Sequence, residues 1–397
     1  MGTSANKAAH ISGAAPVHRF YSENAWIEGT AEDQLGVVSA MEGINSVAAF
    51  PDLHPGKYGP VGSAMMSDRI YPQLIGNDIG CGMSLYLLDL PSRKLRLDKA
   101  ARKLRALEGV WDGDARERLA SEGLSVDLHP NALGTIGGGN HFCELQLVDT
   151  VHDDAILGNI GLEKGQLVLL VHSGSRSFGT AVFNSVLDRF GGLDADSEAG
   201  RGYMEAHRQA VVWASLNRAL IAERAARALR CDFRPVCDTP HNLIEHHAGG
   251  FLHRKGAAKA DMPVVPLAGS RDALSYLLRP SLHKAEALAS LAHGAGRKYD
   301  RRSMTARAGA TRSHRQSLSR TSFGGLVICE DRQLLVEEAP QAYKDPAHVV
   351  KELQAAGLAE PVAALKPLLT FKKAVTEDHQ TSAQEKRQRL RNRRAER

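Results

Sequence analysis

The 397-residue chain has no run of about 18 apolar residues that could cross a bilayer. Its N-terminus also lacks the apolar core of roughly 7–15 residues that a secretory signal needs. Five widely spaced cysteines, an odd number, make no disulfide framework, so a reducing compartment is expected. The sequence is therefore read as that of a soluble, cytoplasmic protein. Two common nucleotide-binding signatures are missing as well. There is no GxxxxGK(S/T), and Gly137-Gly-Gly139 lacks the GxGxxG spacing, which argues against a P-loop or a Rossmann fingerprint. No internal repeat and no linker before residue 373 is evident. With 43% hydrophobic and 24% charged residues, the composition is that of an ordinary globular protein long enough for a large core. A formal net charge of +5 permits an anionic partner without requiring one.

Residues 1–16 are Ala/Ser/Gly-rich and aperiodic, and are expected to be poorly ordered. Apolar spacing suggests helices over 24–41, 92–108, 180–189, 202–229 and 346–356. Apolar runs suggest strands at 46–50, 61–66, 145–148, 166–171, 263–267, 326–329 and 364–371. More strand is expected between 73 and 90, interrupted at 76–83. Pro51 to Lys57 has the composition of a loop, and 297–320 reads as a basic, exposed loop. A folded region over 17–373 and a basic tail over 374–397 complete the division. The tail is either a nucleic-acid contact or a solvated extension.

Chemistry concentrates in loops. Leu291-Ala-His-Gly-Ala-Gly-Arg-Lys298 places His293 beside glycines and Arg297. It reads either as a surface turn closing an Ala/Leu-rich helix or as a reactive site. In the second case, glycine would admit a ligand and the guanidinium would grip phosphate or carboxylate. Asp78 and Cys81 stand three positions apart in a Gly-flanked loop, and His141, His172 and His241 each sit in a turn beside an apolar run. Together they supply enough donors for two divalent ions, although thiolate and imidazole do not by themselves select manganese. Arg176, Arg254, Lys255, Arg297 and Lys372, with Ser/Gly turns at 173–179 and 268–270, could hold anionic oxygens without a P-loop.

These segments resemble the RtcB family of GTP-dependent RNA ligases, in family order, from about Phe50 to Lys372. The landmarks are PDLHPG at 51–56, NDIGCGM at 77–83, GGGNHFCE at 137–144, HSGSRSFG at 172–179 and HN at 241–242. HRKGA at 253–257, GS at 269–270, HGAGR at 293–297, AYKD at 342–345 and KPLLTFK at 366–372 follow. The resemblance implies an α+β fold: one catalytic domain whose packed sheets, flanked by helices, enclose a deep metal and nucleotide cleft. It implies that His293 attacks the α-phosphate of GTP and becomes guanylylated. Asp78, Cys81, His141, His172 and His241 would hold two manganese ions, with Cys81 shared. Asn140, Glu144, Ser270, Ser275, Ala295, Arg297, Tyr343 and Lys372 would contact the guanosine and phosphates, with Asp52 an acidic group nearby. The implied reaction joins an RNA 2′,3′-cyclic phosphate or 3′-phosphate to a 5′-hydroxyl, in RNA repair or tRNA splicing. Two positions depart from the family's usual pattern. Its PGSMG turn reads Ala268-Gly-Ser-Arg-Asp272, which puts a charge pair beside the nucleotide pocket, and its terminal Lys-Gly reads Lys372-Lys373. Both resemble a branch associated with release-factor-like proteins and ribosomal RNA repair. The competing readings are a metal-dependent RNA phosphoesterase without ligation and an RNA-binding protein without catalysis.

Overall fold

A computed structural model describes residues 13–189, 191–281, 283–309 and 311–373. The architecture is mixed α/β, built on two large sheets. One has five strands in the spatial order Val17–Arg19, Ile44–His54, Val61–Ser67, Gly250–Lys255 and Asn242–His247. The other runs Val265–Leu267, Ser275–Pro280, Ala359–Lys373, Phe142–Val151, Leu167–Ser173, Gly82–Leu88 and Phe233–Pro240, with Leu326–Cys329 parallel to the end of Ala359–Lys373. A two-stranded ladder, Ala257–Lys259 with Ser290–Ala292, delivers the chain to His293.

The central strands of the larger sheet are covered on both faces, so their sequences are continuous apolar runs rather than alternating ones. All seven residues of Leu167–Ser173 are buried. One face packs on the 32-residue helix Glu198–Leu229, where Leu145, Leu169, Val171 and Phe371 meet Ile221 and Ala225. That helix begins at Ser197, whose hydroxyl accepts from Gly200 N, and ends at Arg230 in the left-handed region. Among the described residues, no helix is long and apolar enough to span a membrane.

Several local expectations are corrected. The strand expected at 46–50 runs on through Pro51 and Asp52 to His54; its register shifts between Ala49 and His54, so Pro51 breaks no regular ladder. Pro72–Ile75 is a helical turn rather than strand, with Pro72 at its first position. The first helix is shorter than 24–41, spanning Gly29–Ser39. Segment 297–320 contains two short helices, Met304–Ala308 and Arg312–Ser317, instead of a loop. The segment before His293 is a buried strand, so it is not a surface turn closing a helix. Residues 1–12 of the expected flexible N-terminus and the tail 374–397 lie outside the described residues.

Two buried histidines are part of the framework. His207 Nε2 accepts from Ile244 N at 3.0 Å, and His253 Nε2 accepts from Tyr71 N at 2.9 Å while its Nδ1–H donates to Phe251 O. Accepting a backbone N–H requires a neutral ring, and burial lowers both from 6.5 to about 4. The unfolded chain therefore binds more protons than the native one between these values. Stability falls as pH drops from 6.5 towards 4, by up to about 1.4 kcal/mol per pH unit for each ring. Urea unfolding at stepped pH should show this decline, with a shallower slope in His253→Gln. A flat wild-type profile across the window would contradict the assignment.

Candidate active site and metal centre

The two sheets and the ladder wall a cavity of about 390 Å³. His293 enters it directly after the strand Ser290–Ala292. Its Nδ1 lies 2.7 Å from Asp52 Oδ2, which also accepts from His293 N at 3.2 Å. Asp52 has no solvent exposure, and its carboxylate faces Nδ1, so the neutral tautomer with Nδ1–H and a free Nε2 lone pair is the one this contact selects. The glycines of HGAGR explain how the two segments approach. A Cβ on Gly296, which has φ +69°, would sit 2.2 Å from Asp52 O. Glycine at 296 thus admits the Asp52 strand, and Gly294 and Gly296 both border the cavity, where sequence placed a ligand.

Beside this pair five donors converge. Cys81 Sγ lies 3.4 Å from His141 Nε2 and 3.2 Å from His172 Nε2. His172 Nε2 lies 3.3 Å from His241 Nε2, and His141 Nε2 lies 2.8 Å from Asp78 Oδ2. The rings of His241 and His293 are 4.5 Å apart. His141 Nδ1–H donates to Ile136 O at 3.1 Å, which points the Nε2 lone pair at a carboxylate and a sulfur. That arrangement is repulsive unless a proton or cation stands between. Burial, helped by neighbouring histidines, holds His172 and His241 well below the usual imidazole range and so neutral. Burial and Asp78 push the Cys81 thiol up. Burial would raise Asp78 too, but His141 wins and lowers it. A carboxylate, a thiol and three imidazoles at these separations fit a divalent cation, and Cys81, His141 and His172 form the tightest group.

The opposite wall is organised by two buried carboxylates. Glu144 accepts from Gln146 Nε2 at 2.6 Å and from Thr370 Oγ1, and burial raises it to about 6. Glu338 gathers Arg297 Nη1 at 3.2 Å, Arg301 Nε at 3.3 Å and the Tyr343 hydroxyl, with Lys372 Nζ at 4.0 Å. Burial would raise Glu338, but Lys372 and Arg297 hold it below the usual carboxylate range. Lys372 Nζ also donates to His141 O at 3.1 Å, tying this wall to the metal-ligand group.

Comparison with known proteins bears on this arrangement. The family model described as tRNA-splicing ligase RtcB matches residues 34–111 and 108–373. The RNA-splicing ligase RtcB2 of Escherichia coli is 42% identical over 362 residues, covering 88% of this chain and 94% of that protein. The tRNA-splicing ligase RtcB of Thermococcus kodakarensis is 28% identical, covering 88% of this chain and 93% of its own. The RNA-splicing ligase RtcB of Mycobacterium tuberculosis is 28% identical, covering 84% and 99%. The chain belongs to the RtcB family.

In this RtcB-family chain most residues singled out from sequence border one cavity: Asp78, Cys81, Asn140, Glu144, His172, His241, Ser270, His293, Ala295, Arg297, Tyr343 and Lys372. Asp52 and His141 stand directly behind that lining. Ser275 is buried further back, its hydroxyl accepting from Gly269 N at 3.0 Å and from Gln146 Nε2. Of the expected anion-binding cations, Lys255 lines the cavity together with Arg297 and Lys372, and Arg176 is not among the lining residues. Nor is Arg254, which is spent on Glu245 and Ser290. Of the charge pair expected beside the pocket, Arg271 lines the cavity and donates to Leu335 O, while Asp272 borders the adjoining cavity and accepts from Ser322.

Sequence reasoning missed Glu338, Thr370 and Arg218. Arg218, fully buried on the long helix, donates from Nη1 to Gly80 O at 2.7 Å and Ser173 O at 2.9 Å, and pairs with Asp238. Those carbonyls adjoin Cys81 and His172, and Asp238 precedes His241 by three residues, so one guanidinium positions the three segments that carry Cys81, His172 and His241. Its only sequence signal was a charged residue on an otherwise apolar helix face.

With Co2+ as a probe, the protein should show thiolate-to-metal charge-transfer absorption that Cys81→Ser abolishes. Arg218→Met should weaken Co2+ binding by about 10–100-fold and lower the unfolding free energy by on the order of 3 kcal/mol. Wild-type absorption retained in Cys81→Ser would remove the thiolate from the site.

Proposed function

We propose that the chain is an RNA ligase joining a 2′,3′-cyclic phosphate or 3′-phosphate end to a 5′-hydroxyl end, with GTP as co-substrate and two divalent ions, normally manganese. The observation that carries this reading is the Asp52–His293 pair. It turns Nε2, the nitrogen not engaged by Asp52, to the cavity as the nucleophilic atom next to His241, among several cations.

Asp78, His141 and Cys81 would hold one ion, and Cys81, His172 and His241 the other. Bound there, the metal supplies charge neutralisation at the phosphates and activates water for opening a cyclic phosphate. His293 Nε2 attacks the α-phosphorus of GTP; the P–N bond forms and pyrophosphate departs. As attack removes the lone pair, Asp52 stabilises the positive charge that develops on the ring. An RNA 3′-phosphate oxygen then takes the guanylyl group, restoring the imidazole. The 5′-hydroxyl attacks the activated 3′-phosphate, GMP leaves and a 3′,5′-phosphodiester remains. Glu144, ionised at neutral pH with a value of about 6, can accept from the N–H edge of guanine. Asn140, Ser270, Ala295, Arg297, Tyr343 and Lys372 border the space left for the nucleotide. The two departures from the family's sequence pattern, at Ala268–Asp272 and Lys372-Lys373, are the ground for assigning it to a specialised RNA repair branch with a release-factor-like partner.

Incubation with α-labelled GTP and manganese should give an acid-labile, alkali-stable adduct that His293→Ala eliminates. Asp52→Asn should cut labelling on the order of 100-fold or more, because the amide no longer fixes the tautomer, while Co2+ binding persists. Opening of a cyclic phosphate without GTP, with no joining under any condition, would replace the ligase by a metal-dependent phosphoesterase.

A further inference from the structure

A cavity of about 390 Å³ suits one nucleotide, yet a ligase must hold strands that continue beyond the reacting ends. The strand path therefore has to lie on the surface next to the cavity mouth. One face there has unused chemistry. Trp26 is 40% exposed and meets Tyr299 edge to face, with ring centroids 6.3 Å apart. Lys298 Nζ stands 5.8 Å from the Trp26 ring centre and 5.5 Å from that of Tyr299, and the Arg307 guanidinium covers Tyr299 at 3.7 Å. A second cavity of about 490 Å³ opens beside Trp26 and Lys298, sharing Ser270 and Tyr343 with the first.

The platform is joined to the reaction centre. Lys344 Nζ lies 5.8 Å from the Trp26 ring centre and donates to Pro51 O and Leu53 O, the carbonyls flanking Asp52. Charge on this face is one-sided. Between Arg297 and Arg320 stand eight Lys or Arg residues and one acid, a segment charge larger than the +5 of the whole chain. Asp300, the acid, accepts from Arg302 N and Ser303 N. Arg302, Arg307, Arg312 and Arg320 are exposed, and none has a carboxylate within 4.0 Å among the described residues. The acids bordering the second cavity are committed elsewhere. Asp345 caps a helix, Glu352 accepts from Ser22, and Asp272 accepts from Ser322. Arg301, at the start of the segment, lines the main cavity, so the basic strip begins at its wall.

We propose that this face is a docking strip for single-stranded RNA, with a base stacked on Trp26 and Tyr299 and the following phosphates along Lys298, Arg302, Arg307 and Arg312. The inference rests on the ligase reading and deepens it. An exposed indole edged by cations is a sequence-tolerant base platform, available to an unpaired strand but not to the stacked bases of a duplex.

Fluorescence anisotropy with a labelled single-stranded oligoribonucleotide ending in a 3′-phosphate tests the strip. Trp26→Ala should weaken binding about 10-fold or more, and Trp26→Phe should restore most of it. The triple variant Arg302→Glu, Arg307→Glu, Arg312→Glu should weaken binding at low salt and flatten the salt dependence by about 0.7 per lost phosphate contact. Labelling of His293 by GTP without RNA should be unchanged in all three, which also reports an intact fold. Unchanged RNA affinity in Trp26→Ala and in the triple variant overturns the proposal. Equal competition by duplex RNA, with no effect of Trp26→Ala, also overturns it in favour of a plain polyanion surface. Failure of the wild type to label with GTP would instead strike the ligase reading, leaving the anisotropy result to judge the strip.

Discussion

A buried carboxylate on a histidine ring is the contact on which this site depends. Asp52 sits near the end of a strand of the five-stranded sheet, and His293 follows the two-stranded ladder, 241 positions later. Neither side chain could stay buried alone without penalty, since an unpaired carboxylate inside a protein is costly. Together they fix the sheet against the ladder and decide which ring nitrogen is left facing away from the carboxylate. The same contact thus carries a packing role and a chemical one, and glycine at 296 is what lets the two backbones come close enough.

Around it the cavity balances unlike demands. A metal held in the Cys/His cluster would need neutral imidazoles, and burial supplies two by holding His172 and His241 low. The opposite wall gathers cations, and clustered cations repel one another. Glu338 resolves this from within the wall by engaging Arg297, Arg301 and Tyr343 with Lys372 nearby, so that positive charge is placed without being free to wander. Arg218 plays the matching part under the ligands, spending its donors on backbone carbonyls beside Cys81 and His172. Preorganisation here is a matter of buried charges held by other buried charges, and so it is exposed to single substitutions.

Where local reading of the sequence went astray, the reason is tertiary in each case. Pro51 argues for a loop, but at an irregularity of the ladder its missing N–H costs nothing, so the strand continues to Asp52 and His54. The polar stretch 297–320 has no strong helical period, and its two short helices form because Met304, Ala308 and Leu318 pack into a small cluster with Val327 and Leu335. Arg254 looks like a phosphate ligand in HRKGA, but it faces Glu245 on the neighbouring strand while Lys255, one residue on, faces the cavity. Alternation along a strand separates the two, and only pairing fixes which side is which.

From its sequence alone, the chain determined its long apolar strands, its long central helix and the residue types able to hold a metal and attack phosphorus. These are properties of short segments, set by periodicity and side-chain chemistry. The ordered set of motifs also carried the family resemblance. The tertiary structure alone decided that Asp52 orients His293, that Glu338 gathers the cations, that Arg218 braces the ligand loops, and that Trp26 meets Tyr299. Each of these contacts joins residues far apart in the chain or on different elements, and no local pattern records a partner whose position depends on how the sheets pack.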